Sequence, residues 1–158
     1  MKHLLIILSF LLLSSPVIGQ SERPETIIVP VSSMGDVSDT RKQILQNTLE
    51  EELKDHFKII SQERFEEVQE KVFEELEYYE CTEDQCIMMI QEMLQVENVL
   101  HLVVIQEGSD TQLSLSWRNL DREKKVNDVC MECGTFELNG KVRGLVAKLV
   151  GTMVVEEY

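Results

Sequence analysis

The chain has 158 residues, which is enough for one domain with a hydrophobic core of its own. Its 29 acidic residues outnumber 15 basic ones, and the formal net charge is −14. Proteins that bind nucleic acid or anionic lipid surfaces need basic patches, so this balance disfavours both kinds of partner. Much of the acid falls in predicted helices, where it is typical of solvated faces. The alternative is an acidic docking surface for a basic partner.

Residues 1–19 have the features of a secretory signal peptide. Lys2 supplies the positive start, and Leu4–Leu13 is the apolar segment. We predict cleavage after Gly19 and a single α/β domain over residues 20–158. An uncleaved membrane anchor is the alternative, but a span needs roughly 20 apolar residues. We therefore expect an exported protein, periplasmic in a Gram-negative bacterium, with no transmembrane segment after signal removal.

The first half of the domain reads as a strand, a helix and a second strand. Thr26–Val31 is apolar and β-branched, residues 40–55 show a helical stripe, and Phe57–Ile60 is a short strand. This order predicts a right-handed crossover between parallel strands. Pro30 predicts that the first strand ends there or lies near a sheet edge, because proline cannot donate a ladder hydrogen bond.

The stretch Cys81–Gln106 organises the rest of the chain. A helix from Ser61 leads into it, and Thr82 with Gln85 has the spacing of a capping box for a further helix. After that helix, the run Val99–Ile105 is nearly all apolar and β-branched. Such a run is typical of a strand that is covered on both faces, so we predict the central strand here.

The second half reads as two strands and a helix. Gly108–Asp110 predicts a hairpin turn, Thr111–Leu120 alternates apolar with polar residues, and Lys124–Val129 is a weaker strand. Helical spacing over 136–154 predicts the last helix, although Asn139–Gly140 also fits a hairpin turn. The predicted order is β-α-β-α-α-β-β-β-α. It describes an α/β (mixed α+β) fold, with a mixed sheet and helices packed on it.

Four cysteines form two short motifs, Cys81 with Cys86 and Cys130 with Cys133. Two local disulfides fit an exported protein, and the first would act as a covalent hydrophobic staple at a helix start. Cross-pairing between the motifs, a four-thiolate zinc site and a redox-active pair are the alternatives. Zinc needs reduced thiolates, and the carboxylates near the second motif disfavour a reactive thiolate. We predict structural disulfides, no metal and no cofactor.

One loop is a candidate ligand site, because ligands bind at strand ends in open α/β sheets. Its residues are Ser32, Ser33, Gly35 and Asp36, although one glycine alone does not form a phosphate cradle. His101 lies inside the apolar strand and is expected to be a hydrogen-bonded core histidine. The sequence contains no nucleophile elbow and no zinc-protease motif, so we predict no catalytic residue.

The chain resembles a family of small exported bacterial domains. The matching segments are Ile27–Val31, Phe57–Ser61, the helix that follows Cys81–Cys86, the strand Leu113–Asp121, and Cys130–Cys133 ahead of the last helix. These patterns are similar to the amino-terminal domain of TolB, to the curli secretion protein CsgG and to the penicillin-binding-protein activator LpoB. The resemblance covers nearly all of the predicted mature chain.

The resemblance implies a layered α/β domain with a mixed sheet and a non-catalytic role in the cell envelope. That role is docking to another envelope protein or forming part of a larger assembly. We therefore expect a non-enzymatic protein-interaction or assembly module whose partner is another envelope protein. A basic partner would fit the acidic charge of the chain. The alternatives are a small-molecule-binding domain and a thiol-redox or zinc-binding protein that uses the four cysteines.

Overall fold

The computed structural model describes residues 23–75 and 83–154, so the predicted signal peptide lies outside the described residues. Nine elements follow in the predicted order β-α-β-α-α-β-β-β-α. The strands are β1 (Glu25–Met34), β2 (Lys58–Ile59), β3 (Asn98–Glu107), β4 (Asp110–Arg118) and β5 (Glu123–Cys130). The helices are α1 (Asp39–Leu53), α2 (Gln62–Glu75), α3 (Glu83–Leu94) and α4 (Thr135–Val154).

The described strands form one mixed sheet in the order β2-β1-β3-β4-β5. β1 pairs in parallel with β2 and with β3, while β3, β4 and β5 form an antiparallel meander. The parallel pairing of β1 with β2 across α1 confirms the predicted crossover between parallel strands. The predicted fold class is therefore confirmed.

The first strand continues beyond the end that the sequence predicted. β1 runs to Met34, and its register with β3 shifts between Val29 and Ser32. Pro30 lies in this irregularity, where β2 has already ended and β3 is the one strand beside β1 in the described sheet. The next N–H, that of Val31, donates to Gln46 Oε1 of α1 at 3.1 Å. Proline thus takes a locally edge-like position, as predicted, but the strand does not end there.

One face of the sheet, called the closed face, is covered by α1 and α4. Helical spacing places Leu45, Leu49 and Leu53 of α1 against it, and all three are fully buried. From α4 come Leu138, Val142, Leu145, Val146 and Leu149. They meet a strand layer that includes Leu100, Leu102, Val104, Leu113, Leu115 and Trp117. The helix predicted over 136–154 is confirmed, so the alternative hairpin at Asn139–Gly140 is wrong.

The other face, called the half-open face, has helices over only part of its width. α2 and α3 contribute Phe65, Val68, Val72, Ile87 and Ile90 to a second core with Ile27, Val29 and Val99. This core includes no residue of β4 or β5. The prediction that the central strand is covered on both faces is therefore wrong beyond Val99, because His101, Val103 and Ile105 are only half-buried.

Across 23–75 and 83–154, no helix combines the length and the apolar character needed to cross a bilayer.

Candidate functional site

The residues of the predicted ligand loop do not converge on one point. Ser32 and Ser33 belong to β1, where they pair with Val103 and Val104 on opposite faces of the sheet. Gly35 has φ +86°, and a Cβ there would overlap the carbonyl oxygen of Gln106, so glycine permits a close backbone contact. Asp36 is exposed. Of the four, Ser32 is the residue that meets other polar groups on the half-open face.

Ser32 and His101 form a polar pair on that face. The Ser32 hydroxyl oxygen lies 2.9 Å from His101 Nε2. In the strand register His101 lies opposite Ser116, and Ser116 lies opposite Lys125 of β5. The hydrogen bond predicted for His101 is therefore present, but the histidine is half-buried beside a groove rather than enclosed in the core.

The groove, called the His101 groove, lies where the cover from α3 ends. Its volume is about 210 Å³. Arg118 Nη1 donates to Asp84 Oδ1 of α3 at 2.8 Å, and this ion pair bridges the helix and β4. The side chains that line the His101 groove combine apolar and charged groups: Val29, Ile87, Val99, Val103, Asp84, Arg118, Glu123 and Lys125. The sequence alone does not reveal this site, because its polar residues come from one helix and three strands that no local spacing connects.

The cysteines take the oxidised form wherever the structure describes them. Cys130 and Cys133 form a disulfide with a Cα–Cα distance of 5.7 Å, which joins the end of β5 to the start of α4. Cys86 is also disulfide-bonded. Cys81 lies outside the described residues, so the pairing Cys81–Cys86 stays a prediction. The disulfide between Cys130 and Cys133 leaves no thiolate on that pair for zinc.

Large apolar side chains are exposed on both sides of the disulfide between β5 and α4. Met131 is 77% exposed and Phe136 is 84% exposed. Val129, at 57%, precedes the disulfide, and Met34, at 63%, ends β1. These four residues are called the apolar end. The sequence offered one signal for Phe136, which lies outside the buried stripe of α4 that begins at Leu138.

Hydrogen bonds hold the elements of the apolar end together. Arg41 of α1 donates to Thr135 Oγ1 at 3.3 Å and to Gln106 Oε1 at 3.0 Å. Gln106 is in turn the residue against which Gly35, next to Met34, is packed. The Glu132 N–H donates to the Ser109 carbonyl at 3.1 Å, which ties the disulfide loop to the β3–β4 turn. The backbone that carries the exposed apolar side chains is therefore held in place by hydrogen bonds between these elements.

Five exposed carboxylates lie beside the apolar end. They occupy the turns and helix start that frame it: Asp36, Glu107, Asp110, Glu132 and Glu137. Arg41, a nearby cation, is already engaged by Thr135 and Gln106. This end of the molecule thus combines exposed apolar groups with negative charge.

A second, more apolar cleft of about 290 Å³ lies at the other end of the sheet, beside α3. Met88 and Leu120 line it, and Leu120 is 81% exposed. Arg118 pairs with Val99 at the start of β3, and Leu120 follows Arg118 by two residues. Leu120 therefore lies at the opposite end of the sheet, roughly the length of a strand away from the apolar end. Residue 120 is therefore a matched exposed position for comparison.

Neither a family model nor a curated protein sequence matches the chain. Among solved structures, the LpoB C-terminal domain from Salmonella enterica superposes with a TM-score of 0.50 at 10% identity, covering 72% of this chain and 87% of that one. The chain has the fold of that LpoB domain. The identity is low enough that the match shows the fold alone. The predicted resemblance to LpoB is thus confirmed for the fold, while the resemblance to TolB and CsgG stays a prediction.

Two further structures are similar to a lesser degree. Lipoprotein GNA1162 from Neisseria meningitidis gives a TM-score of 0.48 at 12% identity, covering 80% of this chain and 96% of that chain. The LpoB C-terminal domain from Escherichia coli gives 0.46 at 12% identity, with coverage of 78% and 93%.

Proposed function

We propose that this chain is a non-enzymatic protein of the cell envelope, exported to the periplasm of a Gram-negative bacterium, that binds another protein through the apolar end. One observation carries the proposal: Met131 and Phe136 are both more than three-quarters exposed beside a disulfide that fixes their backbone. Exposed apolar patches that are rimmed by polar residues mark interaction sites, and Met and aromatic residues are enriched at interfaces.

The energetics favour these two side chains as anchors. Fully burying a Phe or Met side chain contributes about 2 kcal/mol relative to leaving it exposed. Ordering a loop on binding costs free energy, and a loop that is already closed by the Cys130–Cys133 disulfide loses less freedom when a partner docks. The same apolar area on an unbraced loop would give weaker binding.

The carboxylates beside the apolar end define the chemistry of the partner. A docking surface with exposed Glu132 and Glu137 and a formal chain charge of −14 favours a partner whose apolar pocket is flanked by basic groups. Charge complementarity of this kind speeds association and is screened by salt. The LpoB-like fold supports an envelope role, because the family resemblance implies docking to another envelope protein.

Photo-crosslinking in the native host tests the proposal. A photoreactive amino acid replaces Phe136 in one strain and Leu120, the matched exposed position at the other end, in a second strain. We expect a discrete crosslinked product from position 136 and none from position 120. The Glu137→Lys change, introduced beside the reactive group, should reduce the product at least several-fold, because it reverses a charge that attracts the partner.

Two results would overturn the proposal. The first is an equal yield of crosslinked product from positions 136 and 120, which would show that contact does not depend on the apolar end. The second is a product from position 136 that Glu137→Lys leaves unchanged, which would remove the basic partner from the account.

A further inference from the structure

A row of polar side chains crosses the half-open face at the level of His101. Ser116 pairs with His101 on one side and with Lys125 on the other. The Ser116 hydroxyl donates to the His101 carbonyl over 3.4 Å, a long and therefore weak bond. A hydroxyl and an ammonium group thus lie next to each other at the wall of the His101 groove, and both can donate to an anion.

The charged groups of the groove differ in their availability to a ligand. Arg118 is held by Asp84 at 2.8 Å, so that cation is already neutralised. Lys125 makes no ion pair within the described residues, and its side chain lines the groove. Glu123 also lines the groove, and it would repel a second negative group on a ligand. The charge pattern therefore suits a ligand with a single negative charge.

The floor of the groove includes apolar side chains. Val29, Ile87 and Val99 are buried residues of the second core, and Val103 beside them is half-buried. An anion that is polar all round would lose hydration over this floor without compensation. The cavity of about 210 Å³ is below the roughly 300–1,000 Å³ typical of sites for drug-sized ligands. A molecule of only a few carbon atoms fits these limits.

We propose that the His101 groove binds a small aliphatic monocarboxylate. The carboxylate accepts hydrogen bonds from the Lys125 ammonium and from the Ser116 hydroxyl, whose one proton turns from the His101 carbonyl to the ligand. The hydrocarbon chain lies on Val29, Val99 and Val103. The site is separate from the apolar end and does not depend on the proposed protein interaction. The site is also different from the ligand loop that was predicted from the sequence. Of that loop, Ser32 is connected to the groove through its hydrogen bond to His101.

A titration followed by the backbone amide resonances of the purified protein tests this site, with valerate as the probe. We expect shifts at residues of β3, β4 and β5 that line the groove, and a Kd on the order of 1 mM, the range open to so few atoms. Pentan-1-ol has the same chain without the charge and pentylamine has the opposite charge. Both should bind at least several-fold more weakly than valerate.

The matched variants are Lys125→Gln and Lys71→Gln. Lys125 and Lys71 are both exposed, but Lys71 lies on α2 and pairs with Glu67. Lys125→Gln should weaken valerate binding about tenfold, and Lys71→Gln should leave it unchanged. An unchanged thermal midpoint for each variant shows that the fold is intact.

Three results would overturn the proposal. An absence of shifts at the groove resonances with millimolar valerate would remove the site. Equal affinity in Lys125→Gln and the wild type would remove the role of the ammonium group. Identical shifts with sulfate would show a general anion site that makes no use of the apolar floor.

Discussion

The two faces of the sheet use the same strands for different purposes. On the closed face, α1 and α4 bury side chains from β1, β3, β4 and β5 in one continuous core. On the half-open face, α2 and α3 cover β1 and the start of β3 but contribute no core contact with β4 or β5. The difference indicates that stability resides mainly on the closed face, which leaves part of the other face available for ligands.

The strand β4 shows this division within nine residues. Leu113, Leu115 and Trp117 point to the closed face and are buried, whereas Ser116 and Arg118 point to the half-open face. The indole N–H of Trp117 also donates to Asn98 Oδ1 at 3.1 Å, which ties β4 to the start of β3. One strand thus anchors the core with alternate residues and builds the groove wall with the others.

Large-to-small substitutions in β3 should give the largest difference in the free energy of unfolding between the two faces. Leu102 is fully buried on the closed face, and Val103 is half-buried on the other. Leu102→Ala should lower the free energy of unfolding by about 2–5 kcal/mol through lost burial and a residual cavity. Val103→Ala should cost about 1 kcal/mol or less. Urea unfolding measures both, and equal losses would contradict the division between faces.

Removal of the Cys130–Cys133 disulfide should have the next largest effect. The double change Cys130→Ser with Cys133→Ser frees a loop of only a few residues, for which chain entropy predicts a loss of about 2 kcal/mol. The domain should stay folded, because Leu138 and the rest of the closed core remain. Thermal unfolding with and without reductant measures the change. Loss of all cooperative unfolding would show that the disulfide holds the whole domain.

Ser114 offers a change that should stabilise the protein. Its hydroxyl is buried on the half-open face and has no hydrogen-bond partner in the described residues. Ser114→Ala removes an unsatisfied polar group, so we expect a gain of about 1 kcal/mol. Ser116→Ala, in which the hydroxyl has a partner, is the matched control and should give no gain. Chemical unfolding that ranks the two variants in the opposite order would contradict this reading.

The smallest expected effect concerns the pH dependence of Asp128 on β5. Burial raises the pKa of this carboxyl, but hydrogen bonds from Lys141 Nζ at 3.2 Å and the Val129 N–H at 2.8 Å outweigh it. The pKa therefore lies below its ordinary value of 3.8. A lowered pKa stabilises the fold above the unfolded value, and this stabilisation is lost as the pH falls through the folded value.

Asp128→Asn should accordingly cost at most a few tenths of a kcal/mol at pH 7, because about a third of the Asp128 side chain is exposed and solvent screens the pair. The difference from the wild type should shrink as the pH falls below 4. Unfolding free energies at pH 7 and pH 3 check this, with Asp121→Asn as the control, because Asp121 is exposed and forms no ion pair within the described residues. A constant difference at both pH values would contradict the assignment.

Local patterns in the sequence were sufficient to predict the order of elements and the parallel crossover. The alternation in β4 and the helical stripe beginning at Leu138 each reflect one buried face, which sequence periodicity reports directly. The continuation of β1 to Met34 was not predictable from Pro30, because the irregular register places proline where no ladder bond is required. Tertiary contact, in this case Gln46 with Val31, decided the outcome.

The candidate sites were less predictable, since they depend on what is left uncovered. The run Val99–Ile105 indicated two buried faces, but α3 ends its cover near Val99. The His101 groove then combines residues from five separate segments, which no local spacing brings together. Phe136 was visible only as an apolar residue outside a helical stripe, a weak signal until its exposure is known.

Thiol labelling of β4 tests the central claim, that one face is closed and the other partly open. Leu115→Cys and Ser116→Cys place a thiol at adjacent positions that point to opposite faces. Under native conditions Ser116→Cys should react at least about 100-fold faster, because a thiol at Leu115 reacts only after the core opens. Equal protection at the two positions would contradict the account, since it would show that the half-open face is covered as fully as the closed one.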